Sequence, residues 1–140
     1  MNINNNKAWL LYKNLEKIEV TVNPQFYSTE KNMNQNVFTW VYDVKIENFG
    51  VSTIQLTRRY WQIFDGLTKI REIEDEGIVG QQPIIRPNEL FEYSSQVTLF
   101  SDSGLMLGKY LALDMLTGEK FSINIPAFSL DSFTDRKLVN

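Results

Sequence analysis

Apolar and polar residues alternate with period two along most of this chain. The clearest stretch places Phe38, Trp40, Tyr42, Val44 and Ile46 on one face and Thr39, Asp43, Lys45 and Glu47 on the other. Successive side chains of a strand point to opposite sides, so the pattern predicts a strand with one buried and one wet face. Ile18, Val20 and Val22 begin an earlier strand that runs into Pro24. Proline has no N–H for a ladder, so an edge position or a bulge is expected there. The polar run STEKNMNQN between these strands reads as a surface loop, and Asn48-Phe49-Gly50 as a turn.

The next segment changes parity. Ile54 and Leu56 are even, Trp61 and Ile63 odd, and a regular strand cannot send both pairs to one core. A bulge or break near Arg58-Arg59 is therefore predicted. Asp65-Gly66 is a hairpin signal that returns the chain through LTKIREI. Phe91, Tyr93, Val97 and Leu99 then alternate with Glu92, Ser94, Gln96 and Thr98; SDSG (101–104) turns the chain; LGKYLALDML follows; Thr117-Gly118 turns it again; and FSINI closes the series before Pro126. Seven or eight short strands with regular turn signals predict an all-β antiparallel sandwich. Residues 7–16 differ. Ala8 with Tyr12 and Leu11 with Leu15 are i,i+4 pairs behind Asn5 or Asn6 as a cap, which predicts a short helix.

Composition narrows the chemistry. A chain of 140 residues with 43% hydrophobic and 22% charged residues is an ordinary globular domain. The formal charge of −3 and scattered Lys and Arg give no dense basic patch, so nucleic-acid binding is not expected. No window reaches membrane-spanning length and MNINNNKAWLLYKN does not read as a signal peptide, so the expected setting is cytoplasmic, with no membrane partner. With no Cys and no His, thiol and histidine catalysis and Cys/His zinc sites are excluded. No catalytic residue is nominated and no cofactor is expected; the chain reads as a non-enzyme.

Two clusters invite a ligand reading. Gly77-Ile78-Val79-Gly80 sits in EDEGIVGQQPIIRPNE. A phosphate cradle needs backbone N–H groups aimed at the anion, usually at the start of a helix. Gln81-Gln82-Pro83 cannot open a helix, so the glycines are expected to shape a turn. If an anion such as phosphate or pyrophosphate binds, the candidates are Gly77, Gly80 and Gln82 with Arg58 or Arg59. Glu72, Glu74 and Glu76 share one face of an extended segment and are the candidates for a hard divalent metal.

The motifs TVNP, RRYWQIFDG, EGIVGQQPIIRPNELFEYSS and FSINIPAFSL, in that order from about Ile18 to Leu130, resemble the landmarks of the ApaG family. The resemblance implies an immunoglobulin-like or fibronectin type III-like sandwich, in agreement with the strand count. On this reading residues 1–17 are an N-terminal extension and 18–140 the ApaG-like domain. It implies protein–protein recognition, because related domains are appended to F-box proteins and to a polymerase-delta-interacting protein; the partner is another protein or a second copy. It also implies the alternatives of a nucleotide or pyrophosphate ligand and a link to cobalt and magnesium resistance. The family commonly carries Gly-x-Gly-x-x-Gly at the loop, whereas Asp75 stands at the first of these positions here. A carboxylate there repels an incoming anion. The supply of 18 Phe, Tyr and Trp exceeds what the alternation needs for a core and favours a contact surface.

Overall fold

The computed structural model describes residues 17–132. The helix expected at residues 7–16 lies outside them. Eight strands follow in order: β1 Ile18–Asn32, β2 Gln35–Asn48, β3 Ile54–Asp65, β4 Thr68–Glu76, β5 Ile84–Ile85, β6 Leu90–Leu99, β7 Ser103–Asp114 and β8 Lys120–Asp131. They form two antiparallel sheets, β1-β2-β6 and β4-β3-β7-β8, with β5 paired to β3. This is the predicted sandwich.

The alternation of β2 becomes its burial. Phe38, Trp40, Tyr42, Val44 and Ile46 are all buried, and they face Trp61, Met106, Tyr110 and Ile125 within one core cluster. Tyr42, Trp61 and Phe128 meet with ring centroids 5.7 to 5.9 Å apart, edge-on or tilted as ring quadrupoles prefer. The parity change in β3 is a bulge. Leu56 pairs with Ala112 and Arg58 with Leu111, which leaves Thr57 as the extra residue. Both Ile54–Leu56 and Trp61–Ile63 thereby reach the core.

Two sequence expectations are corrected. STEKNMNQN is not a loop: β1 runs to Asn32 and β2 starts at Gln35, with Met33 and Asn34 at positive φ making the turn. The residues from Thr29 to Asn36 are exposed on both sides, so no alternation marks them. Likewise β8 does not stop at Pro126. Met106 pairs with Phe128 and Gly108 with Ile125, so Pro126 and Ala127 bulge out at an edge where the missing N–H costs no ladder bond. Pro24 takes the edge position expected of it, in register opposite Tyr42 on β1, and a separate bulge falls at Tyr27.

The long seams of the sandwich differ. β1 lies against β8 and closes one. At the other, the outer edges of β4 and β6 have no strand partner among the described residues, and Arg71 Nη2 donates across the gap to the Thr98 carbonyl at 3.1 Å.

Candidate functional site

The bulge at Thr57 organises the glycine loop. β4 leaves the β3 edge after Glu76, and Gly77 N–H donates to the Thr57 carbonyl at 2.7 Å. Gln82 Nε2 donates to the same oxygen at 3.2 Å. The chain returns at Pro83, whose carbonyl accepts Leu56 N–H at 3.0 Å, and continues as β5. Between these points Ile78 and Gln81 exchange backbone hydrogen bonds of 2.6 and 3.0 Å. Val79 and Gly80 have φ of 49° and 79°, the signature of a type I′ turn. Ile78 is fully buried and plugs the loop into the core. Gly77 is required on two counts: its φ is 67°, and a Cβ there would collide with the Gln81 carbonyl. The amides of Gly77, Ile78 and Gln81 are thus committed inside the loop.

Val79 is the residue at odds with this turn. A β-branched side chain at positive φ is strained, and Val79 is 54% exposed, so it gains little burial in return. Val79→Asn supplies the Asn-Gly pair that type I′ turns favour. Its expected effect is a stabilisation of about 1 kcal/mol, read as a higher urea midpoint at unchanged slope.

Arg58 and Arg59 are adjacent on β3 and separate to opposite faces. On the outer face, Arg58 Nη2 lies 2.8 Å from Glu74 and Nη1 3.7 Å from Glu76, while Gln62 donates to Glu72 at 3.2 Å. The Glu74 hydrogen bond raises the Arg58 pKa above its ordinary value. Glu72, Glu74 and Glu76 therefore form a ladder against β3, and among the described residues no group of three or more acids is placed to hold a metal ion. On the inner side, Arg59 Nη2 pairs with Asp75 at 3.1 Å. That pair accounts for the acid at the first glycine position.

Arg59 also lines a crevice of about 310 Å³ in the open seam, with Tyr42, Trp61, Arg71, Asp75 and Gln96 among its walls. Two buried donors of these walls, Arg59 Nε and Trp61 Nε1, have no hydrogen-bond partner among the described residues. Deeper in the core the hydroxyls of Tyr93 and Tyr110 share a short hydrogen bond. Burial pushes the Tyr93 phenol up to about 12, against the lowering effect of that bond, and pushes Tyr110 up further.

A phenol raised in the folded state stays protonated while its unfolded counterpart ionises near pH 10. Stability is therefore intact below about pH 10 and falls as pH rises toward 12, with Tyr93 contributing roughly 2–3 kcal/mol of the loss. Urea midpoints between pH 8 and pH 11.5 check this, and Tyr93→Phe is expected to flatten the decline.

The landmarks of the chain find their counterparts among known proteins. A family model described as ApaG domain matches residues 28–114. This chain belongs to the ApaG family. Protein ApaG of Rhodospirillum centenum is 44% identical over 115 residues, covering 82% of this chain and 88% of that one. Protein ApaG of Methylocella silvestris is 42% identical over 125 residues, covering 89% and 95%. Among solved structures, a Bordetella pertussis protein described as ApaA is 33% identical with a TM-score of 0.75, covering 81% of this chain and 92% of that one. A structural-genomics target solved by X-ray crystallography is 29% identical with a TM-score of 0.79, covering 84% and 88%. The ApaG domain here thus carries both the glycine loop and the open seam. Among the described residues no helix is long and apolar enough to cross a membrane.

Sequence reasoning missed the buried polar residues that fix the loops. Asn48 donates through Nδ2 to the Ser52 and Ile85 carbonyls at 2.9 and 3.0 Å and accepts Gly50 N–H at 2.9 Å. Asp65 accepts the amides of Phe100 and Ser101, both at 2.8 Å. Asp114 accepts those of Leu116 and Thr117 at 2.9 and 3.2 Å. The available signal was an Asn or Asp at a strand end just before a turn.

Proposed function

We propose that this ApaG domain is a non-catalytic binding module that recognises another protein by adding an extended segment of it to the free edge of β6. The carrying observation is the contrast between the two open edges. β4 has the sequence TKIREIEDE, crowded with charge, which is how edges are guarded against unwanted pairing. β6 is LFEYSSQVTL, ten residues with one charge and no proline. An unpaired, unguarded edge offers backbone donors and acceptors in register to an incoming strand. The crevice beside it adds Arg59 Nε and Trp61 Nε1, without a partner among the described residues, which favour a ligand bearing acceptor groups. A reducing cytoplasmic setting is compatible with a chain without cysteine.

Binding of phosphate or pyrophosphate is the second reading, favoured by the same unpartnered donors. It ranks below the first because Arg58 and Arg59 already face carboxylates and the Gly77 amide is engaged.

The test is Gln96→Lys, which places a guarding charge on exposed β6. Proteins captured from lysate by the unmodified chain are purified as complexes. Amide hydrogen exchange is expected to slow at residues 94–98 on complex formation, and Gln96→Lys is expected to weaken binding at least tenfold, about 1.4 kcal/mol, with Tm nearly unchanged. Protection confined to other strands, with Gln96→Lys binding normally, refutes strand addition at β6.

A further inference from the structure

The open seam holds a side chain where a strand would put its backbone. Arg71 lies opposite the buried Ile63 in the β3–β4 register, so it leaves the edge strand β4 on the face turned toward the core. An inward-pointing charge is one of the devices that guard a sheet edge. The Arg71 guanidinium donates to the Thr98 carbonyl of β6 at 3.1 Å. Along an antiparallel strand the backbone groups of alternate residues turn to opposite edges. With the Thr98 carbonyl turned to the seam, the N–H and C=O groups of Ser94 and Gln96 face it too, and those of Ser95 and Val97 face β2. The bond from Asn48 N–H to the Glu89 carbonyl, 3.0 Å long and in the same β2–β6 register, has the matching odd parity. Arg71 therefore occupies an acceptor that an added strand needs.

The same residue sets the charge of the crevice. Arg59 and Arg71 both line it, with Asp75 as the one acid among the described wall residues. Asp75 pairs with Arg59 at 3.1 Å. Arg71 has no carboxylate partner among the described residues. In the same walls Trp61 is only 3% exposed and its Nε1 lacks an acceptor among the described residues. A buried donor without an acceptor is costly, and a bound acceptor recovers that cost.

The register decides which part of an added strand meets these groups. Directly opposed residues of paired strands share a face, and Val97 is buried. The residue opposite Val97 thus turns its side chain inward, into the crevice. Its neighbour opposite Thr98 offers an N–H to the Thr98 carbonyl. Forming that bond displaces Arg71 and leaves the guanidinium beside the inward side chain.

Resting on strand addition at β6, we propose that the segment this edge accepts is acidic, with an Asp or Glu opposite Val97 that enters the crevice. Its carboxylate pairs with the Arg71 released from Thr98 and accepts from the Trp61 indole N–H. Arg71 is then both competitor and selector. It holds the Thr98 carbonyl against a neutral strand, and a carboxylate compensates it for the bond it gives up.

Random peptides of ten residues, the length of β6, displayed on phage and selected on the full chain supply the probe. Recovered peptides that slow amide exchange at residues 94–98 are expected to share one Asp or Glu, whose replacement by Asn or Gln weakens binding about tenfold or more. Arg71→Ala is expected to weaken the acidic peptide by a similar factor, and to leave its neutral counterpart unchanged or bound more tightly because the competitor is gone. Arg71 is exposed, so Tm should hardly move. Peptides that protect residues 94–98 without a shared acid overturn the proposal and leave strand addition standing. So do acidic and neutral forms that respond alike to Arg71→Ala. A selection that yields no peptide protecting residues 94–98 overturns both.

Discussion

Gly108→Ala is expected to destabilise the protein by about 3 kcal/mol or more, lowering Tm by roughly 10 °C. Gly108 sits in β7 opposite Trp61 of β3, next to the bulge that shifts β8. A methyl group there would run into the Tyr60 carbonyl oxygen and come within 2.9 Å of Trp61 Cε3. Neither obstacle can yield cheaply. The carbonyl belongs to a strand flanked on both sides, and Trp61 is wedged between Tyr42 and Phe128. A close-packed interior passes such a displacement on to its neighbours. Gly80→Ala is the comparison: its Cβ would meet nothing within 4 Å, so only the left-handed backbone cost of about 1 kcal/mol remains. Thermal and urea unfolding of the two variants should differ accordingly, and equal losses would show that β3 and β7 are not so closely opposed.

Asn48→Asp is expected to cost about 4 kcal/mol although it changes almost no volume. The Asn48 side chain has no solvent exposure and gives both amide hydrogens to carbonyls, of Ser52 and Ile85. A carboxylate has no hydrogens to give, so both carbonyls lose their donor and a buried negative charge faces them. Asn48→Ala removes the same bonds without adding charge and should cost less. Protonation relieves the charge, and burial beside two carbonyls raises the pKa of the introduced carboxyl. The folded state therefore holds its proton to higher pH than the unfolded chain, and the deficit of Asn48→Asp shrinks as pH falls. Urea denaturation at pH 5 and pH 8 reads the difference. A variant as stable as the unmodified chain would mean that the 48–52 turn and β5 are not anchored through this side chain.

The strands legible in the sequence were those with one wet and one dry face. Phe38 to Ile46 and Phe91 to Leu99 could be placed, and even the bulge was legible, because the parity of Ile54–Leu56 and Trp61–Ile63 is incompatible without an extra residue. The β1–β2 hairpin tip was not, since residues wet on both faces carry no alternation. Pro126 misled because proline ends a central strand but not an edge one. For the candidate site, the turn reading of Gly77 and Gly80 was within reach, as Pro83 rules out a following helix. The splitting of Arg58 from Arg59 required the position of the bulge, and their carboxylate partners required the β3–β4 register. Asn48, Asp65 and Asp114 were hidden because burial of a polar side chain depends on which backbone groups converge on it, and hydropathy says nothing of that.

The unequal seams give the sandwich the mechanics of a book. Its spine is where β1 abuts β8, and at the fore-edge a guanidinium clasp, Arg71 on Thr98, bridges the two covers. The page that lies open to the fore-edge carries Tyr42 and Trp61, which line the crevice there.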